Sequence, residues 1–543
     1  LRMPVGTLAR IVVTNRLDSA IVVHGLTARR SIPQDSLLVP AGETRVAQFR
    51  ADVEGTYFYW AGKPGVSFDD RVFNDSQLNG ALVIDPPGVR RDDRIFLISQ
   101  YLWPDSTGKS SDPRELLTIN GRPWPLTERL SYTVGDSVRW RWINASENSH
   151  PLHLHGFYFR VDARGGAARD TVYWPNQRRM AVTELLDPGQ TMRIAWSPDR
   201  PGGWIFHCHL TFHILPNAPL GLASPDSLDR WFNRTVTPGM VHDAAHHVER
   251  GMGGLLMGIY VRPRGGAMPP PVVPQRVIRL FVDSGRIPGD TSLRYSYIQQ
   301  EDAAPPRDSI RHWAPALVLH RGEPTAIRVI NRTAVPTAVH WHGLELQSPY
   351  DGVVGIGGSR ASPAPPIMPG DSFDVRVTPP RSGSFMYHTH MQEIFQQSGG
   401  LWGPLLVLEP GQAWDREHDR IFQVGSRPGD GGPVLNGEER HDTLTLKTGV
   451  TYRFRLMNVT MANPALEFWL VRSGAPVGWT QLARDGYDLP AWQQSRARAR
   501  LHVGIGETKD VEVQIARPGN LALELRAGNG ALFTSQPIKV QAP

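Results

Sequence analysis

Residues 135–156 read "GDSVRWRWINASENSHPLHLHG", and three other stretches of the 543-residue chain share that plan. They are "GTLARIVVTNRLDSAIVVHG" from Gly6, "GEPTAIRVINRTAVPTAVHWHG" from Gly322 and "GVTYRFRLMNVTMANPALEFW" from Gly449. Each is an alternating strand, a turn containing Asn, and a second strand. Asn144, Asn331 and Asn458 stand in N-x-S/T triplets, but Asn15 holds the same turn without one. Turn chemistry therefore explains the Asn better than glycosylation does. Every opening has a matching close: "AGETRVAQFRADVEGTYFYWAG", "PGQTMRIAWSPDRPGGWIFHCH", "PGDSFDVRVTPPRSGSFMYHTH" and "IGETKDVEVQIARPGNLALELR". Nineteen residues beyond Gly42, Gly189, Gly370 and Gly506 stand Ala61, Cys208, Thr389 and Leu525. One register kept in four places identifies a tandem array.

The array divides the chain into four β-sandwich domains, 1–88, 89–265, 276–410 and 411–543, with the linker "RPRGGAMPPPVVPQ" between the second and third. A chain this long cannot be served by one core. With 53 Gly, 47 Pro and short aliphatic runs, it reads as all-β, many short strands between frequent turns. No run approaches 18 apolar residues, so no membrane span is expected. A net charge of +6 without a Lys/Arg block argues against a nucleic-acid partner. The single cysteine precludes an intrachain disulfide framework. The chain opens at Leu1 inside a strand-like run, which reads as a mature or trimmed N-terminus.

The segments "HPLHLHG", "HCHLTFH", "HWHG" and "YHTH" resemble the four copper motifs of the multicopper oxidases, and the resemblance covers nearly the whole chain. It implies tandem cupredoxin-like Greek-key domains. It also implies four coppers per chain: one type 1 site and a three-copper type 2/type 3 cluster. The spacing suits that chemistry. In a strand, residues i and i+2 share a face, so each H-x-H projects two imidazoles in one direction. Four such pairs occur: His153/His155, His207/His209, His340/His342 and His388/His390. Imidazole is a good copper ligand, and the pairs divide between the second and third domains, so the cluster is expected at their interface.

Cys208 lies between His207 and His209 and points to the opposite strand face. A thiolate with two imidazoles and a weak axial Met is the ligand set of a blue electron-transfer copper. By resemblance His150 is one imidazole, and His213 is read as the second. His247 in "HHVERGMGGLLMG" fits the other half of the family pattern and stays open as the alternative. The family's usual axial position falls on Ala218, but the displaced "GM" ending makes Met252 the expected axial ligand. An acidic residue near the cluster is expected for proton supply. Asp351 in "YDGVVG" matches the family position; three residues past the cysteine, often acidic in the family, stands Thr211, leaving Glu393 as candidate for the second donor.

In common three-domain laccases the H-W-H domain comes first and the H-C-H domain last; here the order is reversed and the two are adjacent. The outer domains account for it. The first closes on "YWAG" and keeps only His24, while the fourth has "NPALEFW" for "HPLHLHG" and Leu525 for the cysteine. The chain thus reads as two two-domain units in tandem, each missing half a site. His312, His320, His418, His441 and His502 read as structural or surface groups, and His242, His246 and His247 as a possible accessory metal patch. The family implies an oxidase passing four electrons from a small-molecule reducing substrate to O2, laccase-like, on phenols or aromatic amines. Alternatives are a Cu(I) or Fe(II) oxidase, against which stands the lack of a Met-rich run, or a copper nitrite-reductase-like protein, for which four H-x-H pairs are too many. The insertion at 214–247 is expected over the blue copper, with Trp231 and Phe232 lining an aromatic site or packing the loop. Family analogy places the protein in the periplasm or outside the cell. Oligomeric state is not legible.

Overall fold

Strands dominate, and they assemble as paired sheets. The computed structural model describes residues 1–30, 35–88, 92–103, 114–215, 244–265, 270, 272–286, 293–300, 303–306, 309–311, 313–427, 432–463 and 465–542. Ala218, Trp231, Phe232, His242, His312 and the side chain of His246 lie outside the described residues. Four sandwiches follow one another, with strands spanning 2–85, 94–262, 276–408 and 419–541. The second, third and fourth each close over their own apolar core. The first has two smaller clusters. A further cluster around Met386, Trp402 and Met457 joins the third sandwich to the fourth.

The repeated Asn organises each sandwich. Asn144 donates to the carbonyls of Asn148 and Leu186 at 2.7 and 2.9 Å, and its Oδ1 accepts from Ser146 N at 3.0 Å and Ser146 Oγ at 2.7 Å. Asn331 does the same with Val335, Ile367 and Thr333, and Asn458 with Asn463, Val503 and Thr460. Asn15 bonds Ser19, Val39 and Leu17 in the first sandwich. Each Asn is buried and its amide spent on stitching the turn to a neighbouring strand.

Simple alternation fails at one informative place. In Val138–Asn144, Arg139 is exposed as expected, but Arg141 is buried. The first sandwich covers that face: Arg141 Nη1 donates to Thr56 Oγ1 at 2.7 Å, and Thr191 Oγ1 donates to Thr56 O at 3.1 Å. The third and fourth sandwiches meet in the same way. Arg455 Nη1 donates to Ser384 Oγ at 2.7 Å, and Thr508 Oγ1 to Ser384 O at 2.9 Å. Arg141 and Arg455 occupy the same repeat position, as do Thr56 and Ser384, and Thr191 and Thr508. Two sandwich pairs therefore share one interface chemistry.

The second and fourth sandwiches meet through buried charge. Glu184 pairs with Arg484 at 2.9 Å and with Arg164 at 2.7 Å, and lies beside Arg179. Burial alone would raise its carboxyl, but Arg484, Arg179 and Arg164 bring it down to about 2.

Two outcomes follow. Asn458→Ala strands Thr460 and Val503 groups in a dry interior, so the copper-free protein should lose about 3 kcal/mol, read as a shift in denaturant midpoint. An unchanged midpoint would remove the Asn from its stitching role. Because the folded carboxyl of Glu184 lies below its ordinary value of 4.5, its contribution is full above that pH and lost as pH falls toward about 2. The stability gap between wild type and Glu184→Gln should close across that window; a gap independent of pH would contradict the pairing.

Candidate metal centre

The two halves of the centre are built by strand pairing. His150–Leu154 runs antiparallel to Gly202–Cys208, with Leu152 opposite Cys208 and His153 opposite His207. In the third sandwich Val339–His340 pairs with Gly383–Thr389, placing His340 opposite His388. All eight imidazoles of the H-x-H pairs are buried. They sort into groups: His155, His207 and His390; His209, His342 and His388; and His153 with His155 and His340. Nε2 of His155 lies 2.9 Å from Nε2 of His207, and Nε2 of His153 lies 3.4 Å from Nε2 of His340. Nε2 of His209 lies 3.2 Å from Nδ1 of His342. Every group draws on both sandwiches.

Hydrogen bonds decide which ring nitrogen is free. Nδ1 donates to a carbonyl in His153 (Val182, 2.9 Å), His207 (Cys208, 2.8 Å), His340 (Asp351, 2.9 Å) and His388 (Thr389, 2.8 Å). In His155 it faces Asp351 Oδ2 at 2.8 Å. A carbonyl can only accept, so Nδ1 carries the proton and Nε2 keeps its lone pair toward the other rings. Burial and neighbouring imidazoles push His153, His155, His209 and His342 well below the ordinary histidine range, and His207, His388 and His390 to about 3. Neutral imidazoles with converging lone pairs are metal ligands in waiting. Nε2 of His388 and both ring nitrogens of His390 are buried without a protein partner, a set of vacant donors that copper fits.

On the opposite strand face, Cys208 Sγ lies 3.6 Å from His150 Nδ1 and 3.5 Å from His213 Nδ1, and those two nitrogens are 3.1 Å apart. His150 is steered by Ser146 Oγ, 2.7 Å from its Nε2. His213 sits in the short turn Thr211–Ile214, and Leu255 N donates to its carbonyl at 3.0 Å. Leu255 O in turn accepts from Cys208 N at 3.0 Å, which draws the 252–255 segment against the site. Met252 is buried in the same core as Cys208. Burial pushes the thiol up; a bound cation reverses that and favours the thiolate. Of the two imidazoles the sequence left open, His213 is the one beside Cys208. His247 instead lies 3.8 Å from Glu393 Oε2.

The two candidate acids differ in placement. Asp351 is fully buried and spans His155 and His340, with Oδ1 3.5 Å from His340 Nδ1. Glu393 stands at the outer side of His390, Oε1 3.6 Å from its Nδ1. Burial would raise the Glu393 carboxyl, but His247 and His390 bring it down to about 2. Sequence reasoning missed three participants: Ser146, Thr183, whose Oγ1 lies 3.1 Å from His153 Nδ1, and Gly506, whose carbonyl accepts from His342 Nε2 at 2.8 Å. The triplet Asn144-Ala145-Ser146 was a signal for the first; only the tertiary fold reveals the other two.

Two family models, both described as multicopper oxidase, match residues 100–216 and 311–412. Multicopper oxidase MmcO of Mycobacterium tuberculosis is 34% identical over 99 residues, 18% of this chain and 17% of that protein. Laccase-2 of Botryotinia fuckeliana is 29% identical over 181 residues, 27% of this chain and 30% of that one. The matched part thus spans less than a third of either relative. A crystal structure of a multi-copper oxidase from Pseudomonas thermotolerans aligns at 22% identity and a TM-score of 0.39, covering 50% of this chain and 64% of that one. The cysteine, His150, His213 and the four histidine pairs all fall inside the two matched segments, so the stretches that build the metal centre are the ones that match multicopper oxidase domains.

Proposed function

We propose that the chain is a copper-dependent, laccase-like oxidase that takes electrons singly from a small reducing substrate, a phenol or aromatic amine, and delivers four to O2. The observation that carries this reading is the placement of Cys208. Its side chain meets His150 and His213 on one strand face, while its neighbours His207 and His209 enter two different imidazole groups on the other. One cysteine thus joins an outer site to both halves of an inner cluster through a few covalent bonds. Copper in these sites supplies the redox chemistry, one-electron uptake outside and reduction of O2 with four protons to two waters inside.

The chain's own groups do the rest. His150, Cys208, His213 and Met252 would hold one copper at the outer site, and the eight paired histidines would hold the other three. Asp351 fixes His155 and His340 through their Nδ1 positions. Glu393, backed by His247, is the second carboxylate beside the cluster, its Oε1 facing His390 where protons would pass toward the site. Among the described residues, every three-ligand group belongs to the second and third sandwiches. By kinship the protein works in the periplasm or outside the cell.

Copper-loaded protein should hold about four coppers per chain, about half of them EPR-silent, and consume O2 with a phenolic donor. One or two coppers, all EPR-visible, would defeat the reading. Within it, His213→Ala should abolish the blue absorption, whereas His247→Ala should leave the band in place; the reverse result would return the second imidazole to His247.

A further inference from the structure

Among the described residues no three-ligand group draws a side chain from the fourth sandwich, yet one of its turns touches the cluster. The turn at 504–507 places the Gly506 carbonyl 2.8 Å from His342 Nε2. Because that oxygen only accepts, the proton of His342 sits on Nε2 and the lone pair on Nδ1, which faces His209 Nε2 at 3.2 Å. This reverses the five imidazoles that bond an oxygen through Nδ1 and turn Nε2 inward. Those five take their acceptors from the second and third sandwiches; His342 takes its carbonyl acceptor from the fourth, with Thr183 Oγ1 of the second at the longer distance of 3.2 Å from the same nitrogen.

The approach is also sterically tight. A Cβ added at Gly506 would lie 3.1 Å from His209 Cδ2, 3.1 Å from His342 Cε1 and 3.0 Å from Thr183 Oγ1. Buried charges hold the turn in place. Glu507 Oε2 accepts from Gly504 N at 2.9 Å and pairs with Lys509 at 2.8 Å. Arg484 pairs with Glu507, reaches across to Glu184 at 2.9 Å, and donates to Thr183 O at 2.9 Å. Asp485 accepts from Thr508 N at 3.0 Å and from Val182 N at 3.1 Å, so it bonds both sandwiches. Val182 and Thr183 are themselves the neighbours of His153.

We propose that this turn of the fourth sandwich is a positioning element of the copper cluster. The Gly506 carbonyl selects the ring nitrogen that His342 presents to the site it shares with His209 and His388, and Arg484 sets the depth of the turn. The inference rests on the copper reading above and concerns residues that bind no copper themselves.

The test compares Gly506→Ala with Gly449→Ala in copper-loaded full-length protein, reading total copper, the EPR-silent fraction and the blue absorption. Both glycines lie at nearly the same positive φ, +78° and +76°, but Gly449 has nothing within 4 Å of an added Cβ. Gly449→Ala thus carries the backbone strain without the intrusion. Gly506→Ala should lose at least half of the EPR-silent copper and keep the blue band; Gly449→Ala should keep both. Arg484→Lys retains the charge but cannot reach Thr183, Glu184 and Glu507 together, so it should lose silent copper in part, and it decides the matter if Gly506→Ala does not fold. Full silent copper in a folded Gly506→Ala or Arg484→Lys protein, or equal loss in Gly449→Ala, overturns the inference. A wild-type protein without EPR-silent copper would instead overturn the oxidase reading itself.

Discussion

The period of two along Gly202–Cys208 is the constraint on which the centre depends. Because successive side chains alternate faces, one strand delivers a thiol to one side and two imidazoles to the other. A slip of one residue would turn the histidines toward the sulfur site and leave the cluster without two ligands. Several independent contacts hold the register. Leu152 stands opposite Cys208, Leu255 bonds the backbone of Cys208, and a Cβ at Gly203 would collide with the backbone of Ile356. The strand is pinned by its own sheet, by the segment carrying Met252 and by the third sandwich.

A second constraint is the position of the cluster between sandwiches. Eight imidazoles cannot be housed in an apolar core without leaving donors unsatisfied. At the junction their outward nitrogens find main-chain carbonyls and Asp351, and their inward nitrogens face one another. The matching interfaces of the first with the second sandwich and of the third with the fourth mean that this junction lies between two similar units. Each unit keeps one half of the ligand set.

How much was readable beforehand followed from the range of the interaction. The all-β array and the H-x-H pairs were legible because strand period and repeat register are local. His213 was preferred with His247 left open, since both satisfy a spacing and only the turn Thr211–Ile214 brings one of them to Cys208. The burial of Arg141 contradicted the alternating pattern because a neighbouring sandwich covers the face that pattern assigns to solvent. Gly506 was visible as a repeat position, but its carbonyl gains meaning only against His342, 164 residues away.

The outer sandwiches indicate why a domain can lose its ligands and persist. Leu525 faces Phe468 where Cys208 faces Leu152, so an apolar pair fills the space of the sulfur site and joins the core. In the first sandwich Ala61 faces Val23, and His24 stacks on Trp60, the residue in register with His207, at 4.2 Å. Each replacement exchanges a polar group that needs a metal for one that needs only contact, so the sheets keep their cores without copper. What cannot be exchanged so easily is the surface these sandwiches present to the others. Arg141 would lose the acceptor of its Nη1 without Thr56, and Glu184 would be a buried charge short of a partner without Arg484. Those buried groups and the carbonyl on His342 tie the fourth sandwich to the second and third.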